Sequence, residues 1–486
     1  MLCFFAMLLL PVLAGALLPL LRFRSPRARA VYVTLAVLGT SALALVNLLT
    51  QRDRLFPVGE LLPGLAIAFR LDGKAAVFTA LAAFLWPFSS LYAFSYMEHE
   101  ARPNRFFAWY TMAFGVTLAL AASANLFTLY LFYECLTLVT LPLVNHKDDA
   151  ASRRAGVSYA AWTMGGAALG FIALMVSVAF GGESALFAPG GVLDASRIAG
   201  HETVLRIVFL LGFIGFGAKA AVIPFQHWLP QASVAPTPVT ALLHAVAVVN
   251  AGAFAVIRLI FDVFGTALLS GTFAQSAALS LACATVVLGS VMAVREQHLK
   301  RRLAWSTVSN LSYMLMGAAL MTPEGQTGAL THLVFHGLMK ITLFFCAGAI
   351  QVKAGKEYVQ EMRGLGQAMP VTCGVFLYAG TALVGTPLLC GFVSKWNLLT
   401  AAGALGGWMG ILSIASLIVS TVLTAVYVLE PAIVMLLRPR RPEDSPLPDR
   451  TGDPDARMLL PMLLFCLLML AGGLWSAPLV SFLRTL

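Results

Sequence analysis

Apolar runs long enough to cross a bilayer follow one another along the whole chain, and the connections between them are short. A membrane-spanning helix takes about 20 mostly apolar residues. Fourteen segments of that kind can be marked, near 2–21, 30–50, 76–97, 106–123, 125–144, 156–180, 204–229, 237–262, 273–294, 303–321, 326–352, 370–400, 408–437 and 458–483. The longest polar connections are 52–75, 181–203 and 438–457, and no soluble domain of ordinary size fits in any of them. Only 11% of the 486 residues are charged and 59% are hydrophobic. A soluble chain carries roughly 25% charged residues, so a soluble multidomain enzyme is excluded. The expected fold is an all-α polytopic membrane protein with about 14 transmembrane helices.

The formal charge of +10 does not point to nucleic acid, because the basic residues sit in short loops and form no basic domain. Cys3, Cys135, Cys283, Cys346, Cys373, Cys390 and Cys466 fall in or beside apolar runs without a CxxC or Cys/His cluster. No disulfide framework, zinc site or iron–sulfur ligation is expected. The run Met1–Leu21 lacks a basic start and an obvious cleavage site, so a retained helix is expected.

Basic residues test the segment count independently. Loops joining an odd-numbered segment to the next even one hold 21 lysines and arginines, and the other loops hold six. One missed or invented helix would scramble that asymmetry. By the positive-inside rule the odd-to-even loops face the cytoplasm and both termini face outward. Five basic residues remain. Arg484 reaches the interface, and Arg258, about one turn from a helix end, is placed to snorkel. Lys219, Lys340 and Lys395 lie deep in apolar runs.

A charge at the bilayer centre costs at least about 2.5–3.5 kcal/mol, so such residues face an interior, find partners and often mark ion pathways. The alternative is a structural ion pair or polar glue between helices. Glu134 sits mid-segment with no basic residue in its own helix. Lys219 follows Gly215 and Gly217 and precedes Pro224, which predicts a helix break. Backbone groups freed there need protein or water around them. A broken helix beside a lysine reads as an ion site. His244 is placed equally well for hydrogen-bonded structure and for proton carriage. His332, His336 and Lys340 are spaced by four and line one helix face, where two imidazoles and an amine can pass a proton along water. Lys395 follows Gly385, Pro387 and Gly391, a second interrupted run. Glu430 lies about two turns from Arg438 and reads as structural.

The run Lys219-Ala-Ala-Val-Ile-Pro-Phe-Gln-His-Trp-Leu-Pro230 with Ala235-Pro-Thr-Pro-Val-Thr-Ala-Leu-Leu-His244 resembles the signature of the proton-conducting antiporter family. That family includes the large antiporter-like subunits of respiratory complex I, the larger subunits of Mrp sodium/proton antiporters and membrane subunits of hydrogenases. Leu299–Ser309, His332–Lys340 and Gly391–Lys395 carry further matches. The resemblance implies two inverted five-helix repeats, each with one broken helix. The division is 1–105 for three leading helices, 106–265 and 266–440 for the repeats, and 441–486 for a loop and last helix. It implies a Glu134–Lys219 pair in the first half, His244 on the next helix, His332, His336 and Lys340 as a central connection, and Lys395 as the terminal lysine, with breaks at Pro224 and Pro387. Two departures stand out. Many relatives carry lysine where this chain has Asn250, and the long lateral helix of one complex I subunit class is not expected here.

These features predict a proton-translocating subunit of an energy-coupled complex in a bacterial or archaeal cell membrane. No nucleotide, flavin or nicotinamide fingerprint is present, so no cofactor is expected and the energy must come from partner subunits or from an opposing ion gradient. The expected partners are other membrane subunits, including antiporter-like paralogues, and peripheral redox subunits. A sodium/proton antiporter subunit is the second reading; the scarcity of internal carboxylates favours protons. A non-conducting scaffold is the third, and it would tolerate neutral residues at 219, 340 and 395.

Overall fold

The structure, a computed structural model, describes residues 1–486 apart from 24, 63, 182–184, 443, 445 and 449–450, and apart from the side chain of His244. Arg24 and Arg450, two of the loop arginines counted above, therefore lie outside the described residues.

Helices α1 (Leu2–Leu17), α2 (Pro26–Thr50), α3 (Gly73–Tyr96), α4 (Pro103–Ala121), α5 (Leu126–Val144) and α6 (Ala150–Phe180) open the bundle. Four of their starts are fixed by side-chain caps that satisfy orphan amides. Ser25 caps α2 and Asp72 caps α3, while Asn125 caps α5 and Asp149 caps α6. Small residues set the close approach of α1 and α4. A Cβ on Gly15 would meet the Ala108 carbonyl at 2.6 Å, and one on Gly115 the Leu8 carbonyl at 2.6 Å. Between α2 and α3 the polar connection forms an antiparallel hairpin, β1 (Leu55–Leu62) and β2 (Leu65–Arg70). The sequence reading did not anticipate it. Phe56 anchors it by stacking on Phe4 with ring centroids 4.2 Å apart.

Next come α7 (Glu202–Gly217), α8 (Thr237–Ala245) and α9 (Val248–Arg258), which ends in a π-helical turn Leu259–Phe264. The remaining helices longer than one turn are α10 (Phe273–Arg295), α11 (Leu299–Ala319), α12 (Pro323–Ala354), α13 (Pro370–Val384), α14 (Cys390–Leu405), α15 (Gly407–Leu436), α16 (Ala456–Leu474) and α17 (Ala477–Arg484).

Among the described residues, ten helices are long and apolar enough to cross a membrane. That measure does not confirm the count of fourteen. Segment 106–123 falls on α4. Segment 303–321 falls on α11, which opens on Lys300, Arg301 and Arg302. Segments 204–229 and 370–400 are interrupted. Segment 237–262, expected to be continuous, is interrupted as well, at Val246 and Ala247. Two elements form the centre. The best apolar window of Thr237–Phe264 is 100% buried and that of α12 is 94% buried, against 28% for α16. α12 packs against α3, α8, α11, α13, α14 and α16, so the stripe of histidines and lysine it carries faces protein.

Candidate ion-translocation site

The first break follows from its sequence. α7 ends at Gly217 and helix resumes only at Trp228. Pro224 lies in the non-helical stretch, and Ala221 takes a left-handed backbone (φ 58°) that a residue with a Cβ rarely adopts. Freed groups find protein partners: Trp228 Nε1 donates to the Ala218 carbonyl at 2.8 Å, and Ile223 N to Thr285 Oγ1 at 3.3 Å. α9 seats this stretch through Gly252, where a Cβ would meet the Ala220 amide nitrogen at 2.5 Å.

Lys219, fully buried, projects from the break onto α5. Its ammonium donates to the Tyr133 carbonyl and lies 3.4 Å from the centroid of the Tyr133 ring. Glu134 is the next residue, partly buried, and one of its carboxylate oxygens, Oε1, is buried without a hydrogen-bond partner. No direct ion pair joins Lys219 and Glu134; Tyr133 stands between them as the contact. Asn250 donates to the Ala245 carbonyl across the α8–α9 interruption at 2.9 Å. His244 lies on α8 just before that interruption, and its side chain is outside the described residues.

On α12, His332, His336 and Lys340 are all fully buried. The two imidazole rings are 5.8 Å apart. His332 Nδ1 is 3.0 Å from Ser394 Oγ, beside Lys395, and Tyr313 meets the His332 ring edge-on at 5.3 Å. Lys395 donates to the Val384 carbonyl at 3.0 Å and to Thr421 Oγ1 at 3.2 Å, and it lies 5.5 Å from the Tyr313 ring. Val384 is the last residue of α13, so the lysine satisfies a carbonyl at a helix C-terminus, where positive charge is favoured. Pro387 lies in the interruption before α14, and Leu388 there has φ 73°. His332, Tyr313, Ser394 and Lys395 therefore converge, whereas Lys340 turns away from them toward α11.

Lys340 opens a feature the sequence reading missed. Its ammonium donates to Ser306 Oγ at 2.5 Å and to the Leu303 carbonyl at 3.1 Å. Ser306 bonds the Tyr427 hydroxyl at 2.8 Å, and Tyr427 bonds Thr424 Oγ1 at 3.1 Å. One turn along α15, Ser420 Oγ accepts from the Tyr313 hydroxyl at 2.6 Å and contacts Ser290 and Ser309. Thr424 Oγ1 donates to the Ser420 carbonyl at 2.7 Å, so one run of hydroxyls extends from Lys340 to Thr424 and a second from Ser420 to Tyr313, with a turn of α15 backbone between them; Tyr313 borders both His332 and Lys395. Serine and threonine in apolar helices are common and usually bond their own helix, so the sequence carries no signal for this line.

Two placements are corrected. Arg258 does not snorkel. It is buried, with Nη1 2.8 Å from Asp262 Oδ2 and Nη2 2.5 Å from Asp72 Oδ1. Lys74, counted above with the loops, belongs to the first turn of α3 and pairs with Asp262 at 2.6 Å. The spacing of four between Arg258 and Asp262 was the available signal. Glu430 pairs with the fully buried Arg302 at 2.8 Å, a structural role.

Comparison with known proteins supplies the remaining context. The family model described as NADH:quinone oxidoreductase/Mrp antiporter, TM, matches residues 123–424. A probable K(+)/H(+) antiporter component of Rhizobium meliloti is 34% identical over 334 residues, 68% of this chain and 32% of that protein, so this chain spans about a third of that relative. NADH-quinone oxidoreductase subunit N of Desulforudis audaxviator is 30% identical over 469 residues, 92% of this chain and 90% of that one. A chain in the structure of the membrane-bound sulfane sulfur reductase, an archaeal respiratory membrane complex, superimposes with a TM-score of 0.84 at 20% identity, covering 99% of this chain and 96% of the other.

Proposed function

This chain belongs to the NADH:quinone oxidoreductase/Mrp antiporter membrane family, and from that membership we propose that it translocates protons as one subunit of a multi-subunit, energy-coupled complex. The relay consists of Glu134, Lys219, His244, His332, His336, Lys340 and Lys395, divided between two inverted repeats at 106–265 and 266–440. The observation that carries the reading is the surroundings of the three lysines. Each ends on neutral acceptors: the Tyr133 carbonyl, Ser306 with the Leu303 carbonyl, and Thr421 with the Val384 carbonyl. An amine without a carboxylate locked to it can release its proton without stranding a partner charge in a low-dielectric interior. A scaffold gains nothing from three such groups.

Protons are favoured over sodium because the other internal carboxylates are taken. Asp72 and Asp262 are held by Arg258 and Lys74, and Glu430 by Arg302, which leaves Glu134. Glu134 then biases the charge state of Lys219 through Tyr133 rather than by contact. The hydroxyls from Lys340 to Thr424 continue across the Thr424–Ser420 turn to Tyr313, and the His332–His336 pair offers a second route toward Lys395. By the loop-charge asymmetry, both termini face outward from a bacterial or archaeal cell membrane. The partners are membrane paralogues and peripheral redox subunits.

Proton flux in inverted vesicles energised through the native complex tests this, comparing wild type with Lys219→Ala and Lys340→Ala at equal assembly. Loss of flux with the complex intact is expected. Unchanged flux in both variants overturns the conducting reading and leaves a scaffold.

A further inference from the structure

Two cavities meet at Arg52, just beyond the end of α2. One, about 620 Å³, is apolar and lies between α2, α3, α12, α16 and α17, with Ala80, Phe84, Val334, Leu338 and Trp475 among its walls. The other, about 440 Å³, is polar and holds Arg70, Lys74 and Arg258 along with Asp53, Asp72 and Asp262. Arg52 lines both. Its guanidinium lies 5.2 Å from the Phe482 ring, and no hydrogen bond or ion pair engages it among the described residues. Asp262 is already matched by Lys74 and Arg258, and Asp72 by Arg258 and Arg70. Arg70 donates to the Phe187 carbonyl and pairs with Asp72 at 3.7 Å, though its Nε is a buried donor without an acceptor. The junction is therefore an apolar channel ending at the uncommitted guanidinium of Arg52.

We propose that the two cavities together hold one phospholipid with an anionic headgroup, its acyl chain in the apolar cavity and its phosphate at Arg52. The shape selects a chain rather than a partner helix. A spanning helix is about 10 Å across and 30 Å long, several times 620 Å³, whereas ligand cavities run about 300–1,000 Å³. The charge selects the head, because guanidinium matches phosphate geometry with paired donors. The position gives the lipid a consequence. Val334 and Leu338 of α12 face it, and each precedes a relay residue by two, His336 and Lys340. The acyl chain thus packs the reverse side of the helix that carries the relay.

The test uses the full chain reconstituted in phosphatidylcholine vesicles containing a phospholipid with a photoreactive acyl chain, either phosphatidylglycerol or phosphatidylcholine. Crosslinked peptides are mapped by mass spectrometry. Phosphatidylglycerol is expected to label the 77–84 and 468–475 stretches several-fold more than phosphatidylcholine. Arg52→Gln should remove that preference, Ala80→Trp should abolish labelling there by both lipids, and Arg54→Gln, which alters an exposed neighbour stacked on Phe56, should change neither. Monodisperse elution of each variant establishes that it is folded. Equal labelling by the two lipids in the wild type, a preference that survives Arg52→Gln, or no labelling of the groove overturns the proposal. The last outcome assigns the groove to a protein partner. None of these outcomes depends on whether the chain conducts protons.

Discussion

Lys340 and Asp262 are both buried polar groups, yet they ask for opposite experiments. Lys340 rests on Ser306 and a carbonyl, so Ser306→Ala removes an acceptor without exposing a charge. A hydrogen bond to a charged group is about 1.5–3 kcal/mol, and each 1.4 kcal/mol is about tenfold. Vesicle flux should fall at least about tenfold in Ser306→Ala and recover in Ser306→Thr. Asp262 sits between Lys74 and Arg258. Asp262→Asn leaves those two bases with Asp72 alone, and it should cost about 3–5 kcal/mol, read as a lower unfolding temperature in detergent. The lysines and histidines were legible from sequence because an ionisable group in an apolar run is rare enough to stand out. Ser306, Tyr427 and Ser420 were not, because a hydroxyl is unremarkable in any helix until a neighbour is seen to complete the line. Arg258 was misread because the i+4 spacing to Asp262 was not weighed and its other partner, Asp72, caps a helix distant in sequence.

Interrupted helices are the elements on which this molecule differs most from a plain bundle. Glycine and proline announced the stretches around Pro224 and Pro387. The interruption at Val246 and Ala247 had no such punctuation and came from packing that a single sequence does not display. Gly252 holds the first break against α9, so Gly252→Leu must displace the backbone at Ala220. Overpacking of this kind costs about 1–3 kcal/mol, and flux should fall with it; Gly403→Leu, where a Cβ meets nothing within 4 Å, serves as the control. At the basic ends of α11 and α12, His298 Nε2 lies 3.3 Å from Glu357 Oε2. The hydrogen bond from His298 holds the Glu357 carboxyl down at about 2. Its folded value lies below the ordinary 4.5, so the stabilisation is present above that value and is lost as pH falls toward 2. Melting of wild type and Glu357→Gln should therefore differ near neutral pH and converge as pH drops through that window.

At the scale of the whole chain, loop charge predicts which way the bundle sits. A cysteine placed at Thr485 should react with a membrane-impermeant maleimide on intact cells, and one at Lys147 only after the membrane is opened. The reverse pattern would invert the orientation read from the arginine-rich loops. The polytopic helical architecture was readable from apolar run length alone, whereas the hairpin Leu55–Arg70 was not, because its residues alternate too weakly to declare a strand. The two hydroxyl runs on either side of the Thr424–Ser420 turn carry one more implication. A hydroxyl donates and accepts equally well, so neither run has a built-in polarity. On the proposed relay, direction is imposed at the ends, by whichever lysine is loaded first. A reversed membrane potential would then reverse the traffic, and partner subunits rather than this chain would decide whether the gradient is built or drawn down.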